Sequence, residues 1–515
     1  MLDLSTMNIG ATLPALMLAL GACIVLLIDL FIPAERKEIT LAASLVGLGV
    51  SFVLSLANMG QTQTAFTGMY LADSFTAMVN MIALVTAFLA MLAAHDYLKR
   101  SNLNRGEYYP LLLMTTAGAM FMGASGDLIV MLVALELLSI PLYVMSGFRR
   151  PDLRSEESAM KYFLLGAFSS GFIVYGIALT YGATGSTMLA DIFRAAQQGT
   201  LNSPFLLVLG AGLIMVGLSF KVALVPFHAW TPDVYQGAPT PVTAFMSVAA
   251  KVGGFAALLR VLVIALPTLF IGDTYVDPGQ TVTFNAVWQD AAAVLAGITM
   301  IFGNVVAVMQ KDIKRLLAYS SIAHAGYIMM AVAAAGTFQI VADEFGGTSV
   351  SLVVAQDAVR GALIYLAAYA FTNVGAFAVV MTVERNDGTG TLIDDLAGVG
   401  RTRPVTALGM TVFMFSLIGI PLTGGFTGKW FVFFSALNAG LGLLALIGVL
   451  TSVISAYYYL RVIVKLWLEP GEGNAEVPAR LGWAIGICAV ATLAIGIVPP
   501  LVSGLAQNVT LAAVR

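Results

Sequence analysis

Phe220-Lys221-Val222-Ala223-Leu224-Val225-Pro226-Phe227-His228 stands near the end of an apolar run, residues 204–236, that is too long to cross a bilayer as one helix. At 1.5 Å per residue the unbroken run would extend about 50 Å, against roughly 30 Å of hydrocarbon. Pro226 removes a backbone donor and clashes with the preceding turn, so the helix is expected to be interrupted there. Residues 404–437 have the same excess length and their own breaker, Pro421, followed by Gly424, Gly425 and Gly428 before Lys429. Interrupted helices at matching positions of two halves point to an ion path in transporters built from repeats.

The rest of the chain agrees with a membrane setting. Of 515 residues, 59% are hydrophobic and 10% charged, and the mean hydropathy is +0.91. A soluble domain carries about 25% charged residues, so this chain could not cover a water-facing surface. The 51 glycines suit helices that approach closely in lipid. A net charge of -3 supplies no basic stripe for phosphates, which argues against a nucleic-acid partner. Cys23 and Cys488 each sit in an apolar run and read as packing or lipid-facing residues. Met1 to Asn8 lacks a positive segment, and the following apolar run exceeds a signal-peptide core, so it reads as a retained first span.

Runs long enough to cross occur at about 9–32, 39–58, 74–96, 109–125, 128–148, 156–182, 204–236, 240–266, 288–309, 314–336, 357–383, 404–437, 440–468 and 481–506. These predict an all-α polytopic membrane protein with about fourteen transmembrane helices. Loops after odd-numbered spans hold sixteen Lys and Arg, from Arg36 to Arg480; the opposite side holds Arg194, Arg360 and Arg515. The positive-inside rule places the first set in the cytoplasm and both termini outside. The broken spans are the seventh and twelfth, and an odd offset of five reverses topology. Spans 4–8 (109–266) and 9–13 (288–468) are therefore expected to form two inverted five-helix repeats. Spans 1–3 (1–108) and span 14 (481–515) flank them.

Six basic residues remain inside spans: Lys161, Lys221, Lys251, Arg260, Lys429 and Arg461. A charge near the bilayer centre costs about 2.5–3.5 kcal/mol on an insertion scale, so each needs a reason. Lys251 lies roughly 15 Å into its helix, and Lys221 and Lys429 adjoin the breaks, where unwound backbone is tolerated only in protein or against internal water. Arg260 and Arg461, towards span ends, read as anchors whose heads reach the interface, and Lys161 is open to either reading. Glu136, about 12 Å into the fifth span, should be paired or protonated, with Lys221 or Lys161 as partner.

His228 and His324 are candidate relay members, because imidazole both gives and takes protons near neutrality. Alone, either would pass as a packed core residue. Ser219, Ser247, Ser320 and Ser321 suit either internal water or helix–helix hydrogen bonds. Histidines this far apart, without clustered cysteines or carboxylates, do not suggest a metal site, and the chain lacks nucleotide-binding fingerprints.

Phe220 to His228 continues as Ala229-Trp230-Thr231-Pro232-Asp233-Val234-Tyr235, and then from Gly237-Ala238-Pro239-Thr240-Pro241 to Lys251. This stretch closely resembles a signature of the antiporter-like membrane subunits of respiratory complex I. Lys311-Asp312-Ile313-Lys314-Arg315-Leu316-Leu317-Ala318-Tyr319-Ser320-Ser321-Ile322-Ala323-His324 and Gly419-Ile420-Pro421-Leu422-Thr423-Gly424-Gly425-Phe426-Thr427-Gly428-Lys429 resemble its second and third signatures. Within the family the chain most resembles the N-type subunit: M-type subunits typically carry glutamate where Lys429 stands, and L-type subunits add a long lateral helix.

The resemblance implies a proton-translocating, non-redox subunit of NADH:quinone oxidoreductase in a bacterial inner membrane. It implies a Glu136–Lys221 pair in the half open to the cytoplasm, with Lys161 nearby. Lys251 would be the central link, Lys429 the exit half, and His228 and His324 possible relay members. It places no cofactor in this chain; NADH, flavin, iron–sulfur clusters and quinone belong to other subunits. Partners would be membrane and peripheral-arm subunits, especially antiporter-like subunit M and small membrane subunits, with internal water carrying the protons. The alternatives are a subunit of a multisubunit cation/proton antiporter or of a membrane-bound hydrogenase, and a scaffold whose charges only fix packing.

Overall fold

The structure, a computed structural model, describes residues 7–266, 281–342, 348–351, 353–473 and 475–511. Arg515, counted above on the outer side, lies outside them. The helices are α1 (Ile9–Asp29), α2 (Glu38–Ala57), α3 (Ser74–Arg100), α4 (Tyr108–Ala124), α5 (Leu128–Ser146), α6 (Leu153–Thr184), α7 (Leu189–Gln197), α8 (Pro204–Val222), α9 (Trp230–Gly237) and α10 (Thr240–Leu259). They continue as α11 (Gln289–Val308), α12 (Ile313–Ala334), α13 (Val353–Val383), α14 (Val399–Thr402), α15 (Pro404–Ile418), α16 (Gly424–Asn438), α17 (Gly442–Trp467), α18 (Ala479–Ile497) and α19 (Pro500–Gln507). Twelve are long and apolar enough to cross a membrane, α10 together with the π-helical turn Arg260–Ala265 that extends it. Adding the 17-residue α4 and the split pair α15–α16 gives the fourteen expected crossings.

Both breaks fall where the sequence places them, and both are capped alike. In α8 the Ala223 and Leu224 amides turn back to the Phe220 and Ser219 carbonyls, with Ala223 left-handed at φ 64°. In α15 the Gly419 and Ile420 amides turn back to Ser416 and Phe415, with Gly419 at φ 91°. This paired closure satisfies carbonyls that a helix end leaves open, which lipid could not. Val225 N donates to Thr299 Oγ1 across the first break, and Gly425 N to Ser416 Oγ across the second. A methyl at Gly425 would lie 1.8 Å from the Ser416 carbonyl oxygen, so only glycine lets α16 begin there.

Loop contacts sort the ends of the bundle. Arg480 pairs with Glu38 and Asp96, Arg149 with Glu384, and Lys465 with Asp394, so loops after odd-numbered crossings converge on one basic end. At the other end Asn8 bonds Gln63 and Thr64, and Arg360 bonds the Val509 carbonyl, so both described chain ends are tied to elements of that end. The split crossing α8–α9 runs towards the basic end, where Lys314 binds the Ala238 carbonyl; α15–α16 runs away from it. Opposite senses are what an inverted repeat requires.

Short antiparallel ribbons, β1 (Gln63–Ala65) with β2 (Tyr70–Ala72) and β3 (Thr281–Asn285) with β4 (Thr337–Ala342) and β5 (Thr348–Ser351), add to the end away from the basic loops. The most enclosed helices are α10, α12 and α13; the outer faces of α1, α2, α6 and α17 expose large apolar side chains that suit lipid.

Candidate ion path

Lys221 is the last-turn residue of α8 and is 3% exposed. Its Nζ donates to Ser139 Oγ at 2.8 Å and Tyr162 Oη at 3.2 Å, and lies over the Tyr143 and Tyr162 rings. Tyr162 stacks on Trp230 of α9 at 4.4 Å, so the two halves of the broken crossing hold this pocket together. Gly254 lets α8 approach α10: a methyl there would lie 2.4 Å from Val222 Cγ1 and 3.6 Å from Lys221 Cγ. Lys251 stands three residues earlier on α10, hence on the same face as Gly254.

Glu136 and Lys221 do not form the direct ion pair that the resemblance implies. Glu136, half-buried, instead accepts a 2.6 Å hydrogen bond from Ser170 Oγ of α6. Lys161 is not its partner either. Lys161 pairs with Glu157 at 2.7 Å and Asp233 at 2.6 Å, and Asp233 also binds Arg315. The physical reason is reach: Lys161 is only two turns into a 32-residue helix, and acids at the basic end are available to it. It lines an open cavity of about 590 Å³ between α6, α9 and the loop after α13.

Lys251 is 2% exposed and, among the described residues, its ammonium has no hydrogen-bond or salt-bridge partner. His324 on α12 is also buried, its Nδ1 2.6 Å from Tyr365 Oη and its Nε2 3.1 Å from Tyr459 Oη. Lys429 on α16 is 5% exposed. Its Nζ binds the Leu417 and Ile418 carbonyls at 3.1 and 2.7 Å and Ser452 Oγ at 2.6 Å, and lies 4.7 Å from the centre of the Tyr327 ring. It therefore caps the carbonyl end of α15, the end a helix makes partially negative. Tyr327 and Tyr365 stack at 6.5 Å, which brings His324 and Lys429 into one cluster.

His228 is placed apart. It is half-buried in the break, edge-on to Phe302 at 4.6 Å, and no hydrogen bond joins it to another candidate residue. Arg260 is not an interfacial anchor: it is 0% exposed and binds both Asp73 oxygens, Thr76 and the Gly123 carbonyl. The helix ends close around it, so its head is neutralised inside rather than extended to water. Arg461 does sit at a helix end, binding the Val308 and Gln310 carbonyls.

Two charges that the sequence reading assigned to loops are buried. Lys314, 3% exposed, binds the Ala238 carbonyl, and Arg149 reaches Glu384. Glu384 also accepts from Tyr97 at 2.7 Å and from Thr240, tying α3, α10 and the end of α13 together. Their positions at span ends hid them, because end residues ordinarily reach water. The tyrosines around the lysines were missed for another reason: a buried Tyr reads as packing until its hydroxyl partner is seen. Among the described residues no group of three His, Cys, Asp or Glu converges as a metal site would require.

Comparison with known proteins follows the same lines. The family described as NADH:quinone oxidoreductase/Mrp antiporter, TM, matches residues 125–455. A relative from Herpetosiphon aurantiacus, NADH-quinone oxidoreductase subunit N 1, is 43% identical across 96% of this chain and 95% of its own length. NADH-quinone oxidoreductase subunit N of Trichlorobacter lovleyi is 42% identical across 98% and 97%. A chain of respiratory complex I from Thermus thermophilus superposes with a TM-score of 0.75 at 34% identity, covering 95% of this chain and 98% of that one. With this sequence match along nearly its whole length and a superposable fold, the chain belongs to the NADH:quinone oxidoreductase/Mrp antiporter family of membrane subunits, among its subunit N members.

Proposed function

We propose that the chain conducts protons through the membrane as subunit N of an NADH:quinone oxidoreductase, driven by electron transfer in other subunits. The observation that supports this best is Lys221, Lys251 and Lys429: three lysines 2–5% exposed inside the bilayer, none within salt-bridge distance of an acid among the described residues. A packing role is served by a paired charge, as at Arg260 with Asp73. Burying an ammonium with no acid beside it is costly and adds nothing to packing that a paired charge would not supply, so three such lysines call for a different reason. Carrying protons along the path is that reason.

Protons would reach Lys221 from the basic, cytoplasmic end, pass by Lys251 and His324, and leave from Lys429 on the periplasmic side, with both termini periplasmic. The cell inner membrane is the expected location. Glu136 acts on Lys221 through space rather than by contact. The domain division is read as spans 4–8 and 9–13 each forming half of the path, with spans 1–3 and 14 as flanks. NADH, flavin, iron–sulfur clusters and quinone are assigned to other subunits, and the partners to subunit M, small membrane subunits and the peripheral arm. His228 is left with a supporting role at the break, and Lys161 with collecting protons at the open cavity.

In membranes with assembled complex, Lys221→Ala is expected to lower NADH-linked proton pumping and quinone reduction together by at least tenfold, with Glu136→Ala next and Lys161→Ala mildest. Wild-type pumping in the first two would remove the relay. Peripheral-arm subunits purifying with the chain are the expected result; sodium-dependent exchange by an assembly without them would support the antiporter reading instead.

A further inference from the structure

Three polar side chains line one face of α13 at four-residue intervals, Tyr365, Tyr369 and Asn373, and each reaches a different inner residue. Tyr365 meets His324, Tyr369 donates to Ser321 Oγ at 2.9 Å, and Asn373 Nδ2 donates to Ser247 Oγ at 2.5 Å. Asn373 is 0% exposed, yet its Oδ1 has no hydrogen-bond partner among the described residues. An unsatisfied buried carbonyl destabilises the fold, so it calls for a donor. Ser247 stands four residues before Lys251 on α10, on the same face, and the buried Lys251 Nζ has donors but no acceptor among the described residues.

We infer that Asn373 is a positioning residue that holds one water molecule as the hydrogen-bond partner of Lys251. The chemistry fixes which way the amide points. With Nδ2 on Ser247, whose hydroxyl already donates to the Ala244 carbonyl, Oδ1 is the amide atom left to accept a hydrogen bond. The reverse amide would turn a donor towards a cation. An acceptor-only oxygen also serves both protonation states. The ammonium donates to the water oxygen while the water donates to Oδ1. After the proton leaves, the same water donates one hydrogen to the amine lone pair and keeps the other on Oδ1. A carboxylate there would hold the proton on Lys251; an apolar side chain would leave the water without an anchor.

The inference rests on Lys251 carrying protons. Its test is NADH-driven pumping by assembled complex with Asn373→Leu, Asn373→Ser, Lys251→Met, and Lys251→Met combined with Asn373→Leu. Expected are a loss of at least fivefold in Asn373→Leu, pumping within about twofold of wild type in Asn373→Ser, which restores an oxygen, and no further loss in the double variant beyond Lys251→Met. Wild-type pumping in Asn373→Leu alone, or additive losses in the double variant, would overturn the inference while leaving the relay intact. Wild-type pumping in Lys251→Met would overturn the relay itself. Should Asn373→Leu fail to assemble, an Asn373→Ser variant that assembles but pumps as poorly as Lys251→Met also overturns it.

Discussion

Lys221 shows how much a single side chain is worth in this bilayer setting. Its two hydroxyl partners differ in length, 2.8 Å to Ser139 and 3.2 Å to Tyr162, and hydrogen bonds to a charged group contribute about 1.5–3 kcal/mol. Ser139→Ala is therefore expected to reduce pumping several-fold and Tyr162→Phe less, with complex content unchanged on native gels; the opposite order would mean that Tyr162 is the working partner. The lysines themselves were legible in the sequence because charge in an apolar run has few bland explanations. Glu136–Lys221 contact was not, because depth along two helices gives no information on rotation about them. Ser170, on a third helix, took the carboxylate instead. Lys314 and Glu384 were hidden by span ends, where a sequence cannot tell a buried head from a solvated one.

The broken helices are where sequence and structure agree most closely, since Pro226, Pro421 and the Gly424–Gly425 pair act through backbone geometry that needs no tertiary knowledge. What the sequence did not contain is the reason for each glycine. Gly425 faces the Ser416 carbonyl at a distance no methyl tolerates, and backbone cannot move aside as a flexible side chain can. Gly425→Ala is expected to cut the amount of assembled complex at least threefold, measured by native gel, whereas Gly486→Ala, with open space at its Cβ position, should assemble as wild type. Equal assembly of the two would mean that the second break relaxes without cost. Lys429 depends on the same geometry, because its ammonium caps the carbonyls that the break exposes at Leu417 and Ile418.

Across the whole molecule, charge is sorted by function. Most Lys and Arg gather at one end, where Glu384 joins Arg149, Tyr97 and Thr240 from distant parts of the chain. Removing one partner of a buried pair costs about 3–5 kcal/mol, against about 0–1 for an exposed pair such as Arg194–Asp191. Glu384→Ala should lower the thermal midpoint of the purified complex by several degrees and Asp191→Ala should not, as read by a melting assay. Of the basic residues left in the interior, Arg260 is paired with Asp73, and Lys221, Lys251 and Lys429 form the proposed path, with a tyrosine- and serine-rich lining that only the folded chain reveals. Its exit half is the part most exposed to test, because Lys429 stands alone on the last broken crossing. The direct measurement is the initial rate of NADH-driven proton uptake by inverted vesicles carrying assembled Lys429→Met complex. The account predicts a fall of at least tenfold with quinone reduction slowed in step; uptake at the wild-type rate would contradict it.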